Sequence, residues 1–476
     1  MQPNWLLQRS YLTPERIGLR FGQQSWTFKQ LYERAEQVAQ QLLTYHLKAR
    51  DRVAILATST PDLIHVIYGC MHAQIEIVFL NTRLSSYELD YQIKDAEVSL
   101  VLADEQHLHR VENHPVLSFE TLFESKRMDY PFATEWSEQQ TISIMYTSGT
   151  TGFPKGVRQT VQNHSASAIS SALNLGLTDK DIWLCCVPIF HISGFSILMR
   201  SLLYGMEVRL YEKFDAEKCA LEMAQGEVTK ISVVATMLEQ ILTYMEQHNL
   251  KAHRNFKTAL IGGGPVPVSY LERAMQLNIS VSQTYGMTET ASQTATLSNE
   301  DAMKKLGSAG KPLFFNQIRI KNATKPCEEG EICIRGPHVT PGYIGRFKDR
   351  VVMEDGWLMT GDIGYLDEDG YLYVIDRRAD LIISGGENIY PAEIENVLMA
   401  HPAIKEAGVC GIEHQTWGQV PIAFIVLKQQ LTEAELMNFC KERLASYKLP
   451  KQIYFVNELP RSGSNKLLRR KLKELL

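Results

Sequence analysis

The sequence predicts an α/β protein: a large N-terminal domain of parallel α/β subdomains ending in a β-rich subdomain, then a small α+β C-terminal domain. Three observations predict it. Apolar runs of strand length alternate with helical patterns from residue 28 to residue 283. After about Gly307 the runs shorten and turn residues punctuate them. Beyond Asp376-Arg377-Arg378 a fresh series of helices and strands begins.

Taken in order, residues 28–46 place Leu31, Ala35, Val38 and Leu42 at three- and four-residue steps, one face of an amphipathic helix, and Thr27 with Gln30 matches a capping box. A strand at 52–57, an apolar helix at 61–71 and strands at 76–80 and 98–103 follow. The alternation continues through strands at 182–187, 208–211, 230–235, 258–261 and 279–283. Strand–helix–strand alternation implies parallel sheets covered by helices, and weakly alternating apolar strands fit sheets buried on both faces. Past Gly307 come strands at 318–320 and 330–334, then a hairpin at Asp367-Glu368-Asp369-Gly370, where Asp-Gly signals a tight turn. The last series has a helix at 392–399, strands at 406–412 and 421–427, a helix at 432–445 and a strand at 452–455. A boundary near 376–380 divides the chain into domains 1–376 and 377–476.

Composition narrows the class. The 476 residues hold 49 Lys+Arg against 54 Asp+Glu, with 45% hydrophobic residues, as in an ordinary globular protein. A dedicated nucleic-acid binder needs a basic excess that is missing here. The net charge of −5 is uneven, because residues 441–476 carry ten Lys/Arg against three Glu. That segment reads either as a solvated basic surface or as a small domain that meets anions. Eight cysteines form no CxxC pair and no framework, which fits reduced, buried thiols in a cytoplasmic protein. No apolar run approaches the roughly 18–20 residues that span a bilayer, and no signal peptide is visible, so membrane insertion is not expected.

The chemistry concentrates in a few stretches. After an apolar run at 142–146 come Thr147, Ser148, Gly149, Thr150, Thr151, Gly152, Phe153, Pro154, Lys155 and Gly156. Glycines and hydroxyls leave backbone N–H groups free to face an anion, and Lys155 adds a cation: a phosphate cradle. No GK[ST] follows Gly152, so it is not a Walker A loop, and no GxSxG elbow offers a hydrolase nucleophile. The loop, the stretch from Tyr285 through Gly286, Met287, Thr288, Glu289 and Thr290, the triplet Thr360-Gly361-Asp362, the run from Asp376 through Ser384-Gly385-Gly386-Glu387-Asn388-Ile389, and the segment from Pro460 to Lys466 occur in this order. Together they resemble the signature of the adenylate-forming superfamily, which contains acyl- and aryl-CoA synthetases, peptide-synthetase adenylation domains and luciferases. The resemblance spans essentially the whole chain and implies the adenylate-forming fold with a mobile C-terminal domain.

It also implies a reaction. A carboxylate joins the α-phosphate of ATP, pyrophosphate leaves, and the acyl group passes to a thiol. Lys466 would bridge carboxylate and α-phosphate, although apart from its motif it reads as a solvated lysine. Glu289 offers a hard oxygen to Mg²⁺ carried on the phosphates, and the Thr288 hydroxyl would donate to the same anions. Tyr285 would face adenine, with core packing as the alternative, and Gly262, Gly263 and Gly264 would let the base approach. Gln283, Thr284 and Gly286 belong to the same nucleotide wall. Asp362 and Arg377 would hold the ribose, or else form a structural ion pair. In the position two residues after Arg377, often Asp or Lys in the family, this chain has Ala379, so hinge motion rests on the rest of the motif.

The acceptor is expected to be coenzyme A, with Gly385 and Gly386 lining the pantetheine channel. His191, in Pro188-Ile189-Phe190-His191-Ile192-Ser193-Gly194, would gate the acyl pocket, with Ser193 beside it. Local stretches such as FHISGFS, TALIGGGPVP and DLIISGGENIYPAEIE are similar to the o-succinylbenzoate–CoA ligases of menaquinone biosynthesis. Arg200 sits in an otherwise apolar helix at 194–203, and a buried cation needs an anion. A second substrate carboxylate would supply one, since guanidinium binds carboxylate bidentately; a structural salt bridge or an exposed Arg200 stays open. Also open are a CoA ligase for another aromatic or medium-chain acid, a homo-oligomer, and an inactive nucleotide-binding protein, which would have lost Lys466 or Glu289. The histidines at 107, 109 and 114 read as surface, because no Cys or carboxylate completes a metal site.

Overall fold

The computed structural model describes residues 1–147, 153–264, 266–350, 353–377, 381–460 and 467–476. Two mostly parallel sheets form the large domain. The first is ordered Lys155–Thr160, Thr141–Thr147, Glu76–Phe79, Arg52–Leu56, Leu100–Ala103 and Val116–Ser118. Its one antiparallel pair is the hairpin of Thr141–Thr147 with Lys155–Thr160, the arms of the phosphate loop. The second sheet runs Lys311–Pro312, Ser292–Thr296, Val281–Met287, Thr258–Ile261, Lys230–Val233, Ile182–Cys185, Glu207–Leu210, Ile17–Phe21 and Gln24–Thr27. Its centre is parallel and both its edges are antiparallel. The expected parallel sheets are therefore present, but with antiparallel borders.

Helix Phe28–Leu43 packs between strands and helix Pro61–His72, burying Leu31, Ala35, Val38 and Leu42. Each Leu or Val side chain among them taken from water contributes roughly 1.5–3 kcal/mol, and the alanine less. The capping box of Thr27 and Gln30 forms as expected. The helix stops short of residue 46 because His46 adopts a φ of 62°, which cannot continue a right-handed helix. Strand Val281–Met287 extends beyond 283 because Thr284, Tyr285, Gly286 and Met287 pair with Ser292–Thr296.

Strands Gln317–Ile320, Gly330–Arg335, Met353–Glu354, Trp357–Leu366 and Leu372–Arg377 make the β-rich subdomain. Its tight turn closes through the Gly370 N–H donating to the Asp367 carbonyl at 3.0 Å. The next strand, Ile382–Ser384, belongs to another sheet with Glu387–Ile389, Gly418–Leu427, Ile404–His414 and Ile453–Phe455. Helices Pro391–Met399 and Glu433–Lys441 cover it, and Ile389, Ile394, Leu398, Ile425 and Leu436 form its core. All eight cysteines are free and all but Cys327 are buried. Among the described residues no helix is long and apolar enough to cross a membrane.

Candidate active site

Strands Lys230–Val233, Thr258–Ile261 and Val281–Met287 run parallel, and at their carboxyl ends the chain turns through Val234, Gly262-Gly263 and Thr288-Glu289. Ligands in open α/β sheets bind outside the carboxyl ends of strands. A cleft of ≈ 270 Å³ lies here, between the two sheets and the C-terminal domain. Its walls include Thr147, Lys155, His191, Ser193, Arg200, Gly262, Gly263, Thr284, Gly286, Thr288, Glu289, Asp362 and Gly386, which the sequence had marked.

The strand ladder sets the phosphate side. Thr147 pairs with Lys155, so the two arms close the base of the loop whose Ser148, Gly149, Thr150 and Thr151 lie outside the described residues. Lys155 is 1% exposed, with Nζ 5.6 Å from the Tyr343 ring centroid. The Tyr343 hydroxyl donates to Glu289 Oε1 at 3.0 Å. The Thr288 carbonyl accepts from the Gln159 amide at 2.7 Å, which anchors the turn carrying Thr288 and Glu289. Gly286 is sterically required: a Cβ there would lie 1.7 Å from the Ser292 carbonyl oxygen.

Among the described residues no group of three His, Cys, Asp or Glu side chains could hold a metal ion. A lone buried carboxylate such as Glu289 suits Mg²⁺ that arrives on phosphates and keeps several waters. Of the histidines expected at the surface only His109 is exposed: His107 contacts Asp104 and His114 lies 3.0 Å from Asp90, each half-buried beside a carboxylate that the sequence reading did not place there.

Elsewhere on the wall, Asp362 accepts from the Tyr285 hydroxyl at 2.7 Å. Tyr285 itself is 2% exposed and packs with Ala295, Ile332 and Leu358, behind the cleft wall. The Arg377 main chain pairs with Asp362; its side chain, Lys466 and Ala379 lie outside the described residues. Gln283 sits beside Ile261 with its side-chain N–H₂ buried and unpaired, and it is not among the residues that line the cleft. Gly264 and Gly385 flank the cleft: a Cβ at Gly264 would meet Ile383, and one at Gly385 would meet Trp417.

The cleft also holds a buried cation. Arg200 lies on helix Ile192–Tyr204, is 1% exposed, and faces the cleft. Its Nη2 donates to Gln293 Oε1 at 3.0 Å and Ser292 Oγ at 3.3 Å, while Nε has no partner. Among the described residues no carboxylate reaches it. Burial pulls the guanidinium below its ordinary value, with Tyr204 opposing. The exposed-Arg and salt-bridge alternatives therefore both fail.

One charged residue escaped the sequence reading. Glu387, from the C-terminal domain, stands 3.1 Å from His191 Nε2 and 3.3 Å from Arg83, bringing the domains into contact. Burial resists its ionisation, but His191, Arg83 and Lys448 together draw the carboxyl down to about 2. The neighbouring glycines were read and the glutamate was not, although it stands in the same stretch. A Cβ at Gly386, whose φ is +87°, would lie 3.2 Å from Val234, so the two domains meet closely there.

Comparison with known proteins identifies the family. Residues 7–344 match the AMP-binding enzymes and residues 393–466 match the AMP-binding enzyme C-terminal domain. A 2-succinylbenzoate–CoA ligase of Geobacillus sp. (strain WCH70) is 48% identical over 481 residues, covering 100% of this chain and 97% of that one. A double mutant of o-succinylbenzoate CoA synthetase (MenE) from Bacillus subtilis, bound with its product analogue OSB-NCoA, is 45% identical with a TM-score of 0.95, covering 99% of this chain and 98% of the other. The B. subtilis synthetase in complex with the acyl-adenylate intermediate OSB-AMP covers the same shares at 44% identity, with a TM-score of 0.76. At near-equal identity this chain superposes more closely on the product-analogue complex than on the acyl-adenylate complex. The chain belongs to the family of AMP-binding enzymes, in the company of the 2-succinylbenzoate–CoA ligases.

Proposed function

We propose that the protein is an ATP-dependent acid–CoA ligase that activates 2-succinylbenzoate in menaquinone biosynthesis. The observation that carries the substrate is Arg200, a cation buried in the cleft among neutral partners. A monocarboxylate, consumed at its reacting end, would leave that charge unmet; a dicarboxylate meets it with its second carboxylate.

Two steps follow. One substrate carboxylate attacks the α-phosphorus of ATP, forming the acyl-phosphate bond as pyrophosphate departs. The thiol of coenzyme A then loses its proton and attacks the acyl carbon, forming the thioester as AMP leaves. Thr147, Ser148, Gly149, Thr150, Thr151 and Lys155 are assigned to the phosphates, and Lys466 to the anions meeting in the first step. Gly262, Gly263, Gly264, Gln283, Thr284 and Gly286 are assigned to the nucleotide base, Tyr285 to the core packing behind them, and Asp362 with Arg377 to the ribose. Glu289 would hold a Mg²⁺ brought in on the phosphates, which would supply charge neutralisation there, and Thr288 would donate to the reacting anions. In the second step Gly385 and Gly386 border the thiol's path. Glu387 draws His191 from the acyl pocket's mouth. The domains are taken as 1–376 and 377–476, and the compartment as the cytoplasm, in keeping with eight free thiols.

ATP–pyrophosphate exchange over a panel of carboxylic acids, followed by CoA thioester detection, tests this reading. Exchange should be fastest with 2-succinylbenzoate; a monocarboxylate served equally well would remove it. Lys466→Ala should abolish exchange and spare thioester formation from supplied acyl-adenylate.

A further inference from the structure

A second buried charge cluster joins the domains at the edge of the same cleft, where Lys448 is one of the lining residues. Lys448, in the short turn Ser446–Lys448, is 4% exposed and places Nζ 2.7 Å from Glu88 Oε1 and 2.6 Å from Glu393 Oε1. Glu393 opens helix Pro391–Met399, in the same domain as Lys448. Glu88 belongs to helix Ser86–Asp95 of the large domain, where its Oε2 accepts from the Ser85 N–H and hydroxyl, both at 2.8 Å. One ammonium thus lies between two buried carboxylates, and the second Glu393 oxygen has no hydrogen-bond partner.

This composition is poorly suited to permanent closure. A buried ion cluster roughly breaks even against hydration, yet removing one member leaves an uncompensated charge and is strongly unfavourable. The Lys448–Glu393 pair needs only the small domain, whereas Glu88 gains a cation only when the domains sit as they do here. The contact therefore selects an arrangement more than it stabilises one.

Helix Ser86–Asp95 also reaches the nucleotide side. The Tyr91 ring lies 5.5 Å from that of Phe153, the first described residue after the phosphate loop's gap. Asp95 accepts from the Tyr146 hydroxyl at 2.7 Å and from the Arg346 N–H at 2.8 Å. One short helix therefore touches one arm of the hairpin at Tyr146, Phe153 just before the other arm, and the small domain.

We propose that Glu88 and Lys448 are a positioning pair for the second half-reaction, holding the C-terminal domain so that its Gly386–Glu387 stretch faces the acyl-adenylate. The proposal rests on the two-step reading above. It assigns neither residue a contact with substrate.

Glu88→Gln keeps the shape and removes the charge. Exchange of pyrophosphate into ATP with 2-succinylbenzoate should stay at the wild-type rate, and this also reports that the variant folds. Thioester formation from supplied acyl-adenylate should slow at least about tenfold, in kcat and not in the KM for CoA. Lys448→Met leaves two carboxylates facing each other and should slow thioester formation further. An unchanged thioester rate in Glu88→Gln, an equal loss of both half-reactions, or a milder effect of Lys448→Met would each overturn the pairing. Wild-type enzyme that forms no CoA thioester at all would instead overturn the two-step reading, and the pairing with it.

Discussion

Lys230 and Arg200 are each 1% exposed, and they lie near the same indole, 5.7 Å and 4.9 Å from the Trp183 ring. Around Lys230 the charge is closed: its Nζ donates to Asp181 at 2.8 Å and to the Gly176 carbonyl at 2.7 Å. Lys257 adds a second cation to the same carboxylate at 2.6 Å. Around Arg200 it is open, with a serine hydroxyl, a glutamine oxygen and an unpaired Nε. Equal burial thus hides two different roles. The charge of Lys230 is met inside the fold, and that of Arg200 is the one the proposed second substrate carboxylate would meet.

The largest effect should come from breaking the closed side. Lys230→Met strands Asp181 in the interior with only the more exposed Lys257, and loss of one member of a buried pair costs about 3–5 kcal/mol. Chemical denaturation should show that loss, while kcat/KM per folded molecule stays at the wild-type value. A selective rise in the KM for 2-succinylbenzoate would erase the distinction between the two cations.

Arg200→Leu should do the reverse. The KM for 2-succinylbenzoate should rise about a hundredfold, near 3 kcal/mol of lost charged hydrogen bonding, with the KM for ATP held within about twofold. Stability should stay level or increase, because an unpaired buried guanidinium is a burden on the free enzyme. Steady-state kinetics with each substrate, beside a melt, read both sides; a marked loss of stability would make Arg200 another scaffold cation.

How far the sequence carried these conclusions depended on periodicity. Helix Phe28–Leu43 was legible because its inward face is aliphatic, and Arg200 stood out because its neighbours are. Helix Val161–Leu175 was not, since it buries Asn163, His164, Ser165, Ser167, Ser170 and Ser171, a polar face with no hydrophobic stripe. Helix Ser86–Asp95, with buried Glu88 and Gln92, was lost for the same reason. Strands Ile17–Phe21 and Gln24–Thr27 join the sheet beside Glu207–Leu210, a pairing across nearly 200 residues that no local pattern encodes. The cleft's glycines, hydroxyls and single carboxylates were marked by motif. Its cross-domain partners, Glu387, Arg83, Glu88 and Lys448, were not, because each looks like an ordinary surface charge until the domains meet.

Acid should separate the two cations by the smallest margin. Burial resists ionisation of Asp181, but hydrogen bonds from Lys230 and Lys257 prevail and hold its carboxyl at about 2, below the ordinary 3.8. Between those values the unfolded chain binds more protons than the folded one. Stability contributed by the pair is therefore complete above pH 3.8 and is lost as pH falls toward 2, by at most about 2 kcal/mol. Buried His72, His164 and His338, lowered by burial to about 4, 3 and 3, add a separate loss that begins below 6.5. Asp181→Asn leaves those histidines in place and removes the lower window, so the difference between the two stability–pH curves isolates the carboxylate. The curves should run parallel from pH 6 to pH 4 and converge below. Curves that stay parallel below pH 4 would mean that Lys230 is not neutralised by Asp181, and that the closed side of Trp183 is as open as the Arg200 side.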